Sequence, residues 1–102
     1  MAYRLVFEVR QTIEFASWLE GLRDTVAQKA IGKRLARVEI GLLGDHASVG
    51  DRVSELRIHI GPGYRVYYTI RGNVLVVLLC GGDKGSQDRD INRAKALETQ
   101  LE

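Results

Sequence analysis

The feature that most constrains this chain is a two-residue hydrophobic period in its second half. Polar and apolar residues alternate from Glu55 to Ile60 and again from Tyr64 to Ile70. Gly61-Pro62-Gly63 separates these runs, Gly72-Asn73 forms a two-residue turn signal, and every residue from Val74 to Cys80 is apolar. Alternation is typical of a half-buried strand, and a continuous apolar run is typical of a strand covered on both faces. The pattern predicts three consecutive strands.

The first half predicts a strand and an αα-hairpin. Alternation from Tyr3 to Val9 indicates the strand, and Gly44 to Asp51 is predicted to be a loop. The helices are placed by their capping residues and apolar stripes: Thr12 with Ile13, Ala16, Leu19 and Leu22; Asp24 with Ala27, Ile31, Leu35, Val38 and Leu42; and, after the last strand, Ser86 with Ile91, Ala94, Leu97 and Leu101. The fold class is therefore α+β, with helices on one face of a mostly antiparallel sheet.

Composition limits the class of protein. The 102 residues, 45% of them hydrophobic, are enough for one domain with its own core. The first residues contain no signal-peptide pattern and no run is long enough to span a bilayer, so we expect a cytoplasmic protein. Cys80 is the only cysteine, and with two histidines and no ligand cluster we expect neither a metal site nor a cofactor.

Positive charge is concentrated in the strand region. Arg52, Arg57, Arg65 and Arg71 lie there with a single acid, Glu55, which gives a local excess of +3, while the whole chain has a net charge of +2. A localised positive field favours a phosphate-bearing partner or an acidic protein over a neutral metabolite.

The hairpin at Pro62 predicts a functional face. A three-residue loop would pair His59 with Arg65 and Arg57 with Tyr67, and it would place all four side chains on one open side of the sheet. Arginine matches phosphate oxygens with a planar fork of donors, and aromatic rings stack on unpaired bases. Solvated arginines on an exposed strand face are the alternative interpretation.

Basic residues also recur on the second helix. Lys29, Lys33 and Arg37 are spaced by four residues, with Arg34 beside them. Such a stripe is either a solvated helix face or a contact with ribosomal RNA or an acidic protein.

Two segments resemble a known family. Glu55 to Tyr68 (ELRIHIGPGYRVYY) and Leu78 to Ala94 (LLCGGDKGSQDRDINRA) are similar to the phage-derived addiction-module killer proteins, the HigB-like branch of the RelE/ParE toxin superfamily. The N-terminal half is similar as well, so residues 1–102 would be a single toxin domain. The resemblance implies a strand, a helical hairpin and a twisted sheet whose concave face carries the toxic site.

The resemblance also implies an activity and partners. Such proteins are toxins of type II toxin–antitoxin systems that cleave mRNA on the ribosome without a metal and are neutralised by a cognate helix-turn-helix antitoxin. The alternatives are a ParE-like inhibitor of DNA gyrase and a non-catalytic binding module. The oligomeric state stays open.

The family pattern implies roles for four positions. Its basic catalytic residues correspond to Arg57, Arg65 and Lys84, and Asp90 replaces a family tyrosine. Apart from the family pattern, His59 and Tyr67 on the hairpin face and Gln87 at the start of the last helix are the expected RNA-binding residues, and a solvated side chain is the alternative for Gln87. His59, Tyr67 and Asp90 all remain candidates for proton transfer.

Overall fold

A computed structural model describes residues 6–101. Its elements are β1 (Glu8–Gln11), α1 (Ile13–Glu20), α2 (Thr25–Glu39), β2 (His46–Gly50), β3 (Val53–Ile58), β4 (Tyr64–Arg71), β5 (Leu75–Asp83), a short 3-10 turn (Lys84–Ser86) and α3 (Gln87–Thr99). The five strands form one sheet in the order β1-β5-β4-β3-β2. Only the β1–β5 pair is parallel among these strands, so the predicted α+β class with a mostly antiparallel sheet is confirmed.

The helices cover both faces of the sheet, which corrects the expectation that they share one face. Helices α1 and α2 pack on a core that includes Phe15, Ile31 and Leu56. Helix α3 packs on the opposite face through Ala94, against Tyr67 and other residues of that second core. An amphipathic stripe shows that a helix has a buried side, but it does not show which face of a sheet that side contacts.

The segment predicted to be a loop before β3 contains a strand. Residues His46–Gly50 form β2 and pair antiparallel with β3, with a register shift between Ser48 and Gly50. Asp51 and Arg52 make the turn and both have positive φ. The prediction failed because this edge strand is short and rich in residues typical of turns.

Local capping was predicted correctly for two helices. The Thr12 side chain accepts from the backbone N–H of Phe15, and the Asp24 side chain accepts from those of Val26 and Ala27. The predicted stripe of α1 was wrong in detail, since Ile13 is 86% exposed and Phe15 is fully buried. Tyr3 and Leu5, which belong to the predicted first strand, lie outside the described residues.

Two adjacent glycines let different groups approach opposite sides of β5. A Cβ on Gly81 would overlap the ring of Trp18, and a Cβ on Gly82 would overlap the carboxylate of Asp90. Both glycines are inside β5 rather than in a turn, so their role is close packing.

None of the helices within residues 6–101 is long and apolar enough to cross a membrane.

Candidate functional site

The hairpin between β3 and β4 places Arg57 and Arg65 directly opposite each other. The strands are joined by residues 59–63 rather than by a three-residue loop, and the backbone N–H of Gly63 donates to the carbonyl of Ile60. The predicted register is therefore wrong by two positions: Arg65 pairs with Arg57 instead of His59, and Tyr67 pairs with Glu55. A shift of two residues preserves the side of the sheet, so the prediction of a shared face holds.

A buried carboxylate holds the two arginines together. Glu55 Oε1 lies 3.2 Å from Arg57 Nη2, and Glu55 Oε2 lies 3.1 Å from Arg65 Nε. The Glu55 side chain is almost completely buried, whereas 34% of the Arg57 side chain and 13% of the Arg65 side chain are exposed. Like charges directly across two strands repel each other, and the carboxylate between them offsets this repulsion.

The other two arginines of the strand region form a second cluster. Arg52 and Arg71 bind the carboxylate of Glu98, with N···O distances of 3.1 Å and 2.6 Å. Glu98 belongs to α3 and is buried, and its hydrogen bond with Arg52, followed by that with Arg71, lowers its pKa. The four arginines of the strand region are therefore divided between two clusters, each centred on one buried acid.

An open depression lies beside the arginine pair. It has a volume of about 360 Å³ and is lined by His59, residues 60–63, Arg65 and Lys84. The 3-10 turn positions Lys84, and the Asp83 side chain caps that turn by accepting from the backbone N–H of Gly85. The structure therefore brings Arg65, His59 and Lys84 together, while Arg57 is joined to them through Arg65 and Glu55.

Gln87 lines a second depression, which shares Lys84 with the first. This second depression has a volume of about 460 Å³ and lies along residues 84–89. The Ser86 side chain makes no cap hydrogen bond to α3, although the sequence predicted one. Its hydroxyl donates to the carboxylate of Asp90 instead.

Asp90 and Tyr67 are turned away from solvent. The Asp90 side chain is 13% exposed and lies against Gly82. Tyr67 shares a sheet face with Arg65 but is fully buried under α3, which corrects the expectation that it lies on an open face. Its hydroxyl has no hydrogen-bond partner among the described residues, and burial, with smaller contributions from Glu55 and Asp90, raises its pKa. Its ring cannot stack on a base in this conformation.

Asp45 is a residue that sequence reasoning missed. Its Oδ2 lies 2.6 Å from Nε2 of His59, and its Oδ1 lies 3.4 Å from Nη1 of Arg57. The hydrogen bond with His59, together with the nearby Arg57 charge, lowers the pKa of Asp45. No pattern marked this residue, because it lies in a short segment between α2 and β2 whose spacing to β3 depends on the tertiary structure.

The cysteine, the tryptophan and the possible metal ligands of the described residues do not form a further reactive site. Cys80 is buried, and burial raises its pKa to about 12. Trp18 packs beside Phe15 and Tyr64, with ring centroids 5.7 Å and 6.3 Å away, as expected for core packing. Within residues 6–101, no group of three or more His, Cys, Asp or Glu side chains is arranged to hold a metal ion.

Comparisons with known proteins identify a relative and a fold. The chain matches no family model. An uncharacterized protein of Haemophilus influenzae is 45% identical over 97 residues, which cover 95% of this chain and 98% of that protein. A solved structure of the free state of an Escherichia coli toxin RelE double-arginine mutant has a TM-score of 0.69 and 18% identity, and covers 96% of this chain and 100% of the RelE chain. This chain therefore belongs to the same family as the Haemophilus influenzae protein, and it has the fold of RelE.

Proposed function

We propose that this chain is the toxin of a type II toxin–antitoxin system, of the HigB-like branch of the RelE/ParE superfamily. It acts in the cytoplasm as a metal-independent endoribonuclease that cuts mRNA on the ribosome, and a helix-turn-helix antitoxin neutralises it. The RelE fold supports the proposal. The observation that carries it is the arginine pair Arg57–Arg65, with Arg65 sharing an open depression with Lys84 and His59.

The arrangement suits attack of a ribose 2′-OH on the adjacent phosphate. Negative charge grows on the phosphate oxygens during this reaction, and fixed cations stabilise that charge most effectively when they are positioned in advance. The Arg65 guanidinium makes an ion contact of 3.1 Å with Glu55, although without hydrogen-bond geometry, and Lys84 lines the same depression on a capped turn. The nucleophile belongs to the RNA itself, so the reaction requires no metal-activated water.

The net charge of the site is modest. Arg57 and Arg65 are balanced by the carboxylates of Glu55 and Asp45, and Lys84 brings the net charge of the site to +1. Such a field binds free RNA weakly. It therefore favours action on RNA that is already positioned by a large partner, as mRNA is on the ribosome.

Expression of the chain in growing bacteria, followed by mapping of mRNA 5′ ends, tests this function. We expect new ends inside translated codons, loss of these ends in Lys84→Ala, and their retention in the control Lys95→Ala, a lysine that pairs with Asp51 away from the depression. A small helix-turn-helix protein encoded by a neighbouring gene should restore growth when co-expressed. Intact mRNA with double-strand DNA breaks would overturn the proposal in favour of a gyrase inhibitor.

A further inference from the structure

A second charged arrangement at the edge of the depression connects the α2–β2 segment with the end of β3. The Asp45 carboxylate contacts both His59, at 2.6 Å, and Arg57, at 3.4 Å. His59 lines the depression with Arg65 and Lys84, and 73% of its side chain is exposed. A histidine that is exposed to solvent on one side and bound to a carboxylate on the other can transfer protons.

The position of Asp45 is fixed by contacts of the main chain. Arg34 on α2 donates to the carbonyls of Leu43, Asp45 and Arg57 at 2.8, 2.6 and 2.8 Å, and the backbone N–H of Arg57 donates to the Asp45 carbonyl. Gly44 has a φ of +71°, and a Cβ there would lie 2.7 Å from the Arg34 guanidinium. Arg34 therefore fixes the backbone at Asp45, from which the carboxylate reaches His59 and Arg57.

The carboxylate also determines which nitrogen of His59 carries the proton. A carboxylate with a lowered pKa only accepts hydrogen bonds, so Nε2 of His59 must be the donor in this contact. Nδ1 then carries the lone pair in the neutral ring. Within residues 6–101, Nδ1 of His59 makes no hydrogen bond, so it is available to a substrate.

We infer that His59 is the general base of the reaction, acting through Nδ1, and that Asp45 is its positioning residue. This inference rests on the proposed function. The ribose 2′-OH gives its proton to Nδ1 while O2′ forms a bond to phosphorus and the bond from phosphorus to O5′ breaks. The departing O5′ takes a proton from water, and the hydroxide formed removes the proton from Nδ1. The products are a 2′,3′-cyclic phosphate and a 5′-hydroxyl.

Charged groups from several elements surround this histidine. They are Asp45 from the α2–β2 segment, Arg57 from β3, Arg65 from β4 and Lys84 from the 3-10 turn. Three of the four are cations, so Asp45 supplies the negative charge that stabilises the imidazolium formed after proton transfer. Tyr67 and Asp90, the other candidates for proton transfer, are buried or turned inward.

Cleavage of a defined mRNA on purified ribosomes tests the inference. We expect His59→Ala to lower kcat about 100-fold with KM unchanged, and added imidazole to restore part of the rate. His46→Ala is the matched control: His46 is also exposed, but its Nδ1 contacts the Gly44 carbonyl, and its loss should leave the rate unchanged. Asp45→Ala should lower kcat without raising KM.

Nitrogen NMR of the purified chain gives a readout that a purely structural role would not change. The neutral His59 ring should be protonated at Nε2 in the wild type and become a mixture of tautomers in Asp45→Ala. Suppose that the wild type cleaves RNA. If His59→Ala is then equally active, or is slow and not rescued by imidazole, the role of His59 is overturned while the proposed function stands. Wild-type protein that cleaves no RNA would overturn the proposed function as well.

Discussion

Oε2 of Glu55 lies 3.1 Å from Nε of Arg65, at the centre of the sheet face that carries the candidate site. The same carboxylate binds Arg57, which lies directly opposite Arg65 on the neighbouring strand. One buried acid thus organises two cations that would otherwise repel each other. The stability of this face and the proposed activity therefore involve the same three residues.

Removal of the Glu55 carboxylate should destabilise the fold strongly. Glu55→Ala removes the carboxylate that two facing guanidinium groups share and leaves only Asp45 near Arg57, and the loss of one partner from a buried ion pair costs about 3 kcal/mol. Urea unfolding measures the loss. Glu8→Ala is the control, because Glu8 and Arg10 form an exposed pair whose loss should cost less than about 1 kcal/mol. Equal losses in the two variants would show that Glu55 does not hold the arginines.

The hydroxyl of Tyr67 should lower the stability of the fold. It is buried without a hydrogen-bond partner among the described residues, so Tyr67→Phe should raise the free energy of unfolding by up to about 1 kcal/mol. Thr69→Val is the comparison, since the Thr69 hydroxyl donates to the Arg52 carbonyl at 2.7 Å and its removal should cost about 1 kcal/mol. A loss of stability in Tyr67→Phe would mean that the hydroxyl has a partner.

Glycine-to-alanine substitutions at two positions should change the free energy of unfolding in opposite directions. Gly81→Ala would force the Trp18 ring to move and should cost about 1–3 kcal/mol. Gly32 lies within α2 and a Cβ there meets nothing within 4 Å, so Gly32→Ala should add about 0.5–1 kcal/mol through helix propensity. Thermal unfolding of both variants measures the two changes. A Gly81→Ala variant as stable as the wild type would mean that Trp18 does not pack on β5.

Acid should weaken the attachment of α3 through Glu98. Its pKa is lowered below the ordinary 4.5, first by the Arg52 hydrogen bond, so the carboxylate stabilises the fold above that pH. This contribution is lost as the pH falls below 4.5 and through the lowered pKa of the folded state. Unfolding free energies at several pH values should show a shallower acid decline for Glu98→Gln than for the wild type. Parallel curves would show that Glu98 does not titrate with folding.

The sequence was sufficient to predict most of the elements because hydrophobic periodicity is local. It also predicted the shared face of Arg57 and Arg65, since that result depends only on loop parity. The length of the loop was not predictable, because Ile60 alternates like a strand residue but belongs to the turn. The edge strand β2 was missed because it is short and rich in residues that are typical of turns.

The sequence could not reveal the charge balance of the site. Glu55 and Glu98 look like ordinary solvated acids in a linear pattern, and only tertiary packing places each between two arginines. Burial of Tyr67 likewise depends on α3, which is distant in sequence and could have packed on either face of the sheet. Asp45 became a candidate only when Arg34 brought its segment to β3.

The single-turnover rate of mRNA cleavage on ribosomes by two conservative variants tests whether the Arg65 guanidinium acts in the reaction. Arg65→Lys keeps the charge but loses the planar fork beside the depression, and Arg71→Lys makes the same change in the second, remote cluster. We expect a fall of about 100-fold for Arg65→Lys and little change for Arg71→Lys when both are folded. Equal rates for the two variants, or no cleavage by the wild type, would contradict this expectation.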